Sequence, residues 1–113
     1  MPRLIRAIVA STVRNTPEVD EFIATCADMG LTRKVDTALS DLKANRTSGI
    51  HVPKKYWPRY YIKKWGIRNL YKKDLGRDWR LTYTLVFEGI GVAVLVLEIL
   101  NHKEYNRRFG YGT

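Results

Sequence analysis

Apolar and polar positions follow different periods along the chain, and each period predicts an element. Leu4-Ile5-Arg6-Ala7-Ile8-Val9 is rich in β-branched residues and predicts a short strand. Thr16 is a natural N-cap, with Pro17 at the first helical position and Glu18, Asp20 and Glu21 near the positive helix end. Val19, Phe22, Ile23, Cys26 and Ala27 then recur at i, i+3, i+4, i+7 and i+8, the stripe of an amphipathic helix that Gly30 would stop. Thr32 can cap a second helix with the stripe Val35, Ala38, Leu39, Leu42, ending near Asn45. Asn45–Pro53 reads as a loop, and Pro58 limits any helix that follows to the short stretch Arg59–Trp65. Ile67–Leu75 predicts a strand and Gly76-Arg77-Asp78 a turn. In Trp79–Phe87, Leu81, Tyr83 and Leu85 share one face of a strand, with Arg80, Thr82 and Thr84 on the other. Glu88-Gly89-Ile90-Gly91 is a hairpin turn, and Val92–Leu100 is apolar on both faces, as a central strand is. His102–Phe109 is a last helical turn or an ordered tail. The expected fold is α+β. An N-terminal strand and an antiparallel two-helix hairpin precede a three-stranded antiparallel meander, in one twisted sheet with the helices packed on it. Residues 1–113 read as a single domain without internal repeats or low-complexity segments.

Charge adds a second pattern. The net charge is +9, yet residues 1–50 and 81–113 are almost neutral. Residues 51–80 carry ten basic side chains against Asp74 and Asp78, together with seven of the thirteen aromatics: Tyr56, Trp57, Tyr60, Tyr61, Trp65, Tyr71 and Trp79. Basic groups neutralise phosphates and interleaved aromatics stack on unpaired bases, so this segment points to nucleic acid, with RNA favoured. An acidic protein partner, or a solvated basic face over core aromatics, would produce the same composition. A single cysteine, Cys26, excludes an intrachain disulfide and fits a reducing cytoplasm. No stretch resembles a signal peptide, and Ile90–Leu100 is too short to span a bilayer and contains Glu98.

The residues that bear chemistry are few. His51, His102 and Cys26 lack metal-ligand spacing, and Cys26 belongs to the apolar stripe. Walker, GxGxxG and GxSxG motifs are absent from the sequence. A basic surface acting on RNA needs no metal if the RNA's own 2′-hydroxyl is the nucleophile. It needs a base at the 2′-oxygen, a cation on the phosphate and an acid at the 5′-oxygen. The candidates are Lys72, Lys73, Arg80, His102, Lys103, Tyr105, Arg107 and Arg108. Arg80 suits a phosphate clamp, with a salt bridge to Glu98 as the alternative. A two-residue turn at Gly89-Ile90 would place Arg80 opposite Ile99 and away from Glu98, whereas a one-residue slip would put both on one face. His102 is either an acid–base group or a cap on the strand end. Tyr105 is a stacking platform, a proton donor or plain packing, and His51 lies in a loop with little claim to a site.

Asn69-Leu70-Tyr71, Trp79-Arg80-Leu81-Thr82-Tyr83-Thr84, Glu98-Ile99-Leu100-Asn101-His102-Lys103-Glu104-Tyr105 and Arg108-Phe109-Gly110-Tyr111 resemble, in order and spacing, the RelE/ParE toxin superfamily. The likeness is to its archaeal or RelE-like branch and covers residues 67–111. It implies a cytoplasmic toxin that cuts messenger RNA in the ribosomal A site without metal or other cofactor, silenced by a partner antitoxin. The helical hairpin and the sheet edge would be the antitoxin's docking surface. The resemblance assigns catalysis to Lys72, Arg80, His102 and Tyr105, with Lys103 as an alternative to His102. Lys54, Lys55, Arg59, Lys63, Lys64, Lys73, Arg77, Lys103 and Arg107 are then the candidates for holding the RNA. One position departs from the pattern: Asp74 stands where RelE-like members tend to carry a second lysine. A carboxylate there repels a phosphate unless it pairs with Arg80 or acts as a base. ParE-like relatives share the fold, lack this site and inhibit DNA gyrase, so a non-enzymatic inhibitor or RNA- or antitoxin-binding protein is the alternative.

Overall fold

The computed structural model describes residues 12–110. The strand expected at Leu4–Val9 lies outside them. The first described strand, β1, is Thr12–Asn15. Thr16 then starts helix α1 (Pro17–Thr25), its hydroxyl accepting from the Val19 amide. The same hydroxyl donates to the Leu97 carbonyl at 2.9 Å, so this cap also ties the helix to the sheet.

Gly30 is not the stop expected of it, and Thr32 is not the second cap. Helix α1 ends at Thr25, and α2 (Met29–Ala44) is opened by Asp28, whose carboxylate accepts from the Leu31 amide at 3.0 Å. An Asp at an N-cap satisfies an amide the helix leaves unpaired, and glycine in a first turn forfeits no intrahelical bond. The predicted stripe survives this shift: Leu31, Val35, Ala38 and Leu42 are the buried residues of α2.

The loop expected over Asn45–Pro53 contains a two-residue strand, β2 (Ile50–His51). A 3₁₀ turn over Lys54–Tyr56 and helix α3 (Arg59–Trp65) follow. Strands β3 (Tyr71–Leu75), β4 (Trp79–Glu88) and β5 (Gly91–Asn101) form the meander, and helix α4 (His102–Phe109) closes the described chain. The sheet is five-stranded and mixed, in the order β1-β5-β4-β3-β2, with β1 parallel to β5. The architecture is α+β, with four helices on this sheet.

Because strands alternate their side chains, the sheet carries two cores. Val19 of α1 and the stripe of α2 pack with Leu75, Leu81, Tyr83, Val94, Val96 and Ile99. On the opposite face, Tyr61 of α3 and Tyr105 and Phe109 of α4 pack with Leu97 and Leu100.

Between these cores the β4–β5 register slips. Glu88 pairs with Gly91 across the expected two-residue turn, but Tyr83 pairs with Val96 and Thr82 with Glu98. Leu97 is the extra residue of a β-bulge, and a bulge turns two successive side chains to one face. Leu97 and Glu98 therefore both point toward α3 and α4. Arg80 pairs with Leu100 rather than with Ile99.

Candidate active site and nucleic-acid interface

Strand β3 presents Lys72 and Asp74 on the α4 side of the sheet, with Asp74 directly across from Arg80 on β4. Arg80 Nε donates to Asp74 Oδ1 at 3.1 Å. The Arg80 guanidinium lies 4.6 Å over the Tyr105 ring, and Lys72 Nζ lies 5.6 Å from the same ring. His102 begins α4 immediately after β5, its amide held by the Asp78 carbonyl at 2.9 Å. Its Nδ1 is 3.5 Å from Arg80 Nη1, and its Nε2 is 3.3 Å from the Asn106 side-chain amide. A guanidinium only donates, so in the neutral ring Nδ1 carries the lone pair and Nε2 the proton. That proton is satisfied when the Asn106 amide is turned to present its oxygen. Lys72, Arg80, His102 and Tyr105 thus come together from three elements.

Their exposures divide the roles. His102 is exposed and Lys72 and Arg80 are half-buried, but Tyr105 is only 2% exposed. Its ring stacks on Phe109 at 4.2 Å and carries the two cations over it. Tyr105 is therefore the floor of the site, not a platform open to a base. A cation over a ring face gains roughly 0.5–2 kcal/mol, and the ring sets the height of both charges above the sheet.

The slipped register puts Arg80 and Glu98 on one face, yet they do not pair. Glu98 receives two parallel bonds from Arg108, Nε to Oε1 and Nη2 to Oε2, both at 2.9 Å. It also accepts from the Tyr61 hydroxyl at 2.7 Å, which contacts the Thr82 hydroxyl at 2.8 Å. Tyr60 covers this cluster, its ring 4.1 Å from the Arg108 guanidinium. Burial first, and the Glu98 charge second, push the Tyr61 hydroxyl far above the ordinary tyrosine range. Burial opposes the charge on Arg108, but the Glu98 bonds outweigh it and hold that guanidinium above its usual range. This network joins α3, β4, β5 and α4 beneath the site. An acidic residue in the otherwise apolar Val92–Leu100 run was its one signal in the sequence.

The remaining basic candidates scatter. Lys54, Lys55, Arg59 and Lys63 are exposed on the 3₁₀ turn and α3, and Lys103 and Arg107 are exposed on α4. Lys64 is taken up by an ion pair with Glu18 and by the rings of Tyr60 and Trp65. Glu18 is held below, and Lys64 above, its usual range, chiefly by their mutual hydrogen bond. Arg77 is exposed in the β3–β4 turn. Lys73 points to the other face of the sheet, where it meets Asp41 at 3.6 Å and Ser48 at 3.2 Å. His51 is exposed and packs edge-on against Tyr71, on that same far face.

The aromatics of residues 51–80 are mainly core. Tyr61 is fully buried, Trp57 donates its indole N–H to the Val52 carbonyl at 2.8 Å, and Trp65 packs in the α3–α4 core. Tyr71 stacks on Tyr83 at 5.1 Å, and Trp79 packs against Phe22 at 5.4 Å. Only Tyr56 and Tyr60 among the seven are exposed, at 44% and 40%. Their sequence clustering reflects the packing of a small two-sided sheet more than a row of stacking platforms.

Among the described residues no group of three His, Cys, Asp or Glu side chains is placed to hold a metal ion, and no helix is long and apolar enough to cross a membrane. No protein-family model matches the sequence, and no curated protein matches it either. In structure the chain is similar to a YoeB/ParE toxin from Agrobacterium tumefaciens, with a TM-score of 0.53 at 13% identity, over 80% of this chain and 98% of that one. At that identity the likeness establishes a shared fold.

Proposed function

We propose that this protein is the toxin of a toxin–antitoxin pair, acting in the cytoplasm as a ribosome-dependent endonuclease that cleaves mRNA through its own 2′-hydroxyl. The observation that carries the reading is the convergence of Lys72, Arg80 and His102 around the Tyr105 ring, with Asp74 fastened to Arg80. The outer atoms of Arg80 and the Lys72 ammonium face a scissile phosphate and stabilise the charge that builds on it. The 2′-oxygen attacks phosphorus as Asp74 Oδ2 takes its proton. The bond to the 5′-oxygen breaks as His102, in its imidazolium form, delivers a proton there and returns to the neutral ring, leaving a 2′,3′-cyclic phosphate and a 5′-hydroxyl. Asp74 thereby takes two roles: Oδ1 orients Arg80 and the other oxygen serves as base. The positive charge of Arg80 and Lys72 offsets its repulsion of the phosphate. The exposed cations of α3, α4 and the β3–β4 turn grip the RNA beyond the site. Antitoxin, ribosome and mRNA are the partners this reading requires.

Primer extension on mRNA carried by translating ribosomes tests it. Wild-type protein should cut at fixed positions within codons, and Arg80→Ala should abolish the cuts. Unchanged cleavage by Arg80→Ala would refute the assigned chemistry. Intact mRNA with induced DNA damage would instead place the protein with gyrase inhibitors.

A further inference from the structure

The β3–β4 turn is a thin rim between two basic surfaces. On one side lies the site just described. On the other, between α2 and β3, is a groove of about 290 Å³ lined by Arg33, Lys34, Asp41, Lys73, Asp74 and Gly76, among others. Asp74 borders both, so site and groove are continuous around the rim.

The groove carries surplus positive charge. Asp41 is engaged by Lys73 and Asp74 by Arg80. Among the described residues Arg33 and Lys34 have no ion-pair partner, and both are exposed. Lys34 is drawn toward the rim: a side chain at Gly76 would begin 2.7 Å from Lys34 Nζ. Gly76 has φ +75°, so the position favours glycine on backbone grounds as well, and its bare Cα leaves the ammonium room to lie over the turn. Exposed Arg77 and Asp78 stand in the turn between the two surfaces. None of this shows in the composition of residues 1–50, where basic and acidic groups nearly cancel.

We propose that Arg33 and Lys34 form a second phosphate-binding site, which holds the RNA strand where it leaves the scissile phosphate and passes over the β3–β4 turn. The proposal rests on the RNA-cleaving reading of the Lys72–Arg80 site and extends it to the flanking nucleotides. Two cations facing phosphates add affinity without reading sequence, and they add to the salt dependence of binding. Each single-strand phosphate contact contributes about 0.7 to the slope of log K against log salt.

The test is fluorescence anisotropy of the full chain with a labelled single-stranded RNA 12-mer, 2′-O-methylated throughout to block cleavage, over a range of salt. The double variant Arg33→Gln/Lys34→Gln should lose about 1.4 from the slope. Between 50 and 200 mM salt, wild-type affinity should then fall about 7-fold more than that of the variant. Lys43→Gln, on the same helix but outside the groove, should lose none of the slope beyond the general charge effect seen at any exposed lysine. An unchanged slope in the double variant overturns the proposal, and so does a wild-type chain that fails to bind the 12-mer at low salt. Ribosomal mRNA cleavage by the wild type, measured separately, shows whether the parent reading stands when this one falls.

Discussion

Replacing Tyr61 by Phe removes a single oxygen, and the structure says what that oxygen does. Tyr61 is fully buried, and its hydroxyl bridges Thr82 Oγ1 at 2.8 Å and Glu98 Oε1 at 2.7 Å. A hydrogen bond to a charged group is worth roughly 1.5–3 kcal/mol and one between neutral groups about 0.5–1.5 kcal/mol. Thr82 is itself fully buried, so its hydroxyl loses a partner that water cannot readily replace. The expected loss is about 3 kcal/mol, which for a domain near this size lowers Tm by about 12 °C or more. Urea melts should show the midpoint falling with the slope unchanged, since a ring of the same shape still fills the core. Crossing Tyr61→Phe with Glu98→Gln should reveal a coupling of at least about 1 kcal/mol, because both act through one bond. Cleavage should fall as well, because Glu98 anchors α4 through Arg108 and α4 carries His102 and Tyr105. Val35→Ala weakens the other core and should leave cleavage intact at temperatures where both variants are folded. A Tyr61→Phe protein within 0.5 kcal/mol of wild type would show that the network under the site contributes nothing to holding it.

Burial holds the Tyr61 and Tyr83 hydroxyls above the ordinary tyrosine range. The unfolded chain therefore releases their protons first: stability is fully present below pH ~10 and falls as pH rises beyond it. Phenolate absorbance should show a step that coincides with unfolding and that Tyr61→Phe and Tyr83→Phe each diminish, and a step that neither variant changes would contradict this. At Gly49 a Cβ would lie 2.6 Å from the Lys72 carbonyl oxygen and 2.8 Å from the Tyr83 hydroxyl. Gly49→Ala should cost roughly 1–3 kcal/mol and weaken cleavage by displacing the strand that carries Lys72, and a wild-type Tm would refute the packing argument.

Legibility in the sequence followed the range of the interactions involved. The Thr16 cap, the α2 stripe, the Gly76 turn and the two-residue hairpin turn are set by residues within a few positions of one another, and each was readable. The boundary between α1 and α2 is not legible because Asp28, Gly30 and Thr32 are all plausible punctuation, and local pattern does not rank them. Strand β2 leaves no trace in the pattern because two residues are too few to show a period. Lys72, Arg80, His102 and Tyr105 stand among eight candidates read from the residues, a resemblance singles them out, and the structure brings them together. It also moves Lys73 to the far face, pairs Lys64 with Glu18, and, of the three roles open to Tyr105, favours packing beneath the site.

By itself the sequence determined the α+β class, the amphipathic helices, the meander and the concentration of charge in residues 51–80. These depend on local propensity and on which residues water rejects. Tertiary structure decided which basic residues share a face. One extra residue in β5, Leu97, shifts the register and turns Glu98 toward Tyr61 and Arg108, while the β3–β4 register sets Arg80 across from Asp74. A bulge is a compromise between two packed faces of a sheet, and no window along one strand contains the residues that settle it. The groove at Arg33 and Lys34 is of the same kind, because it exists only where α2 lies against β3.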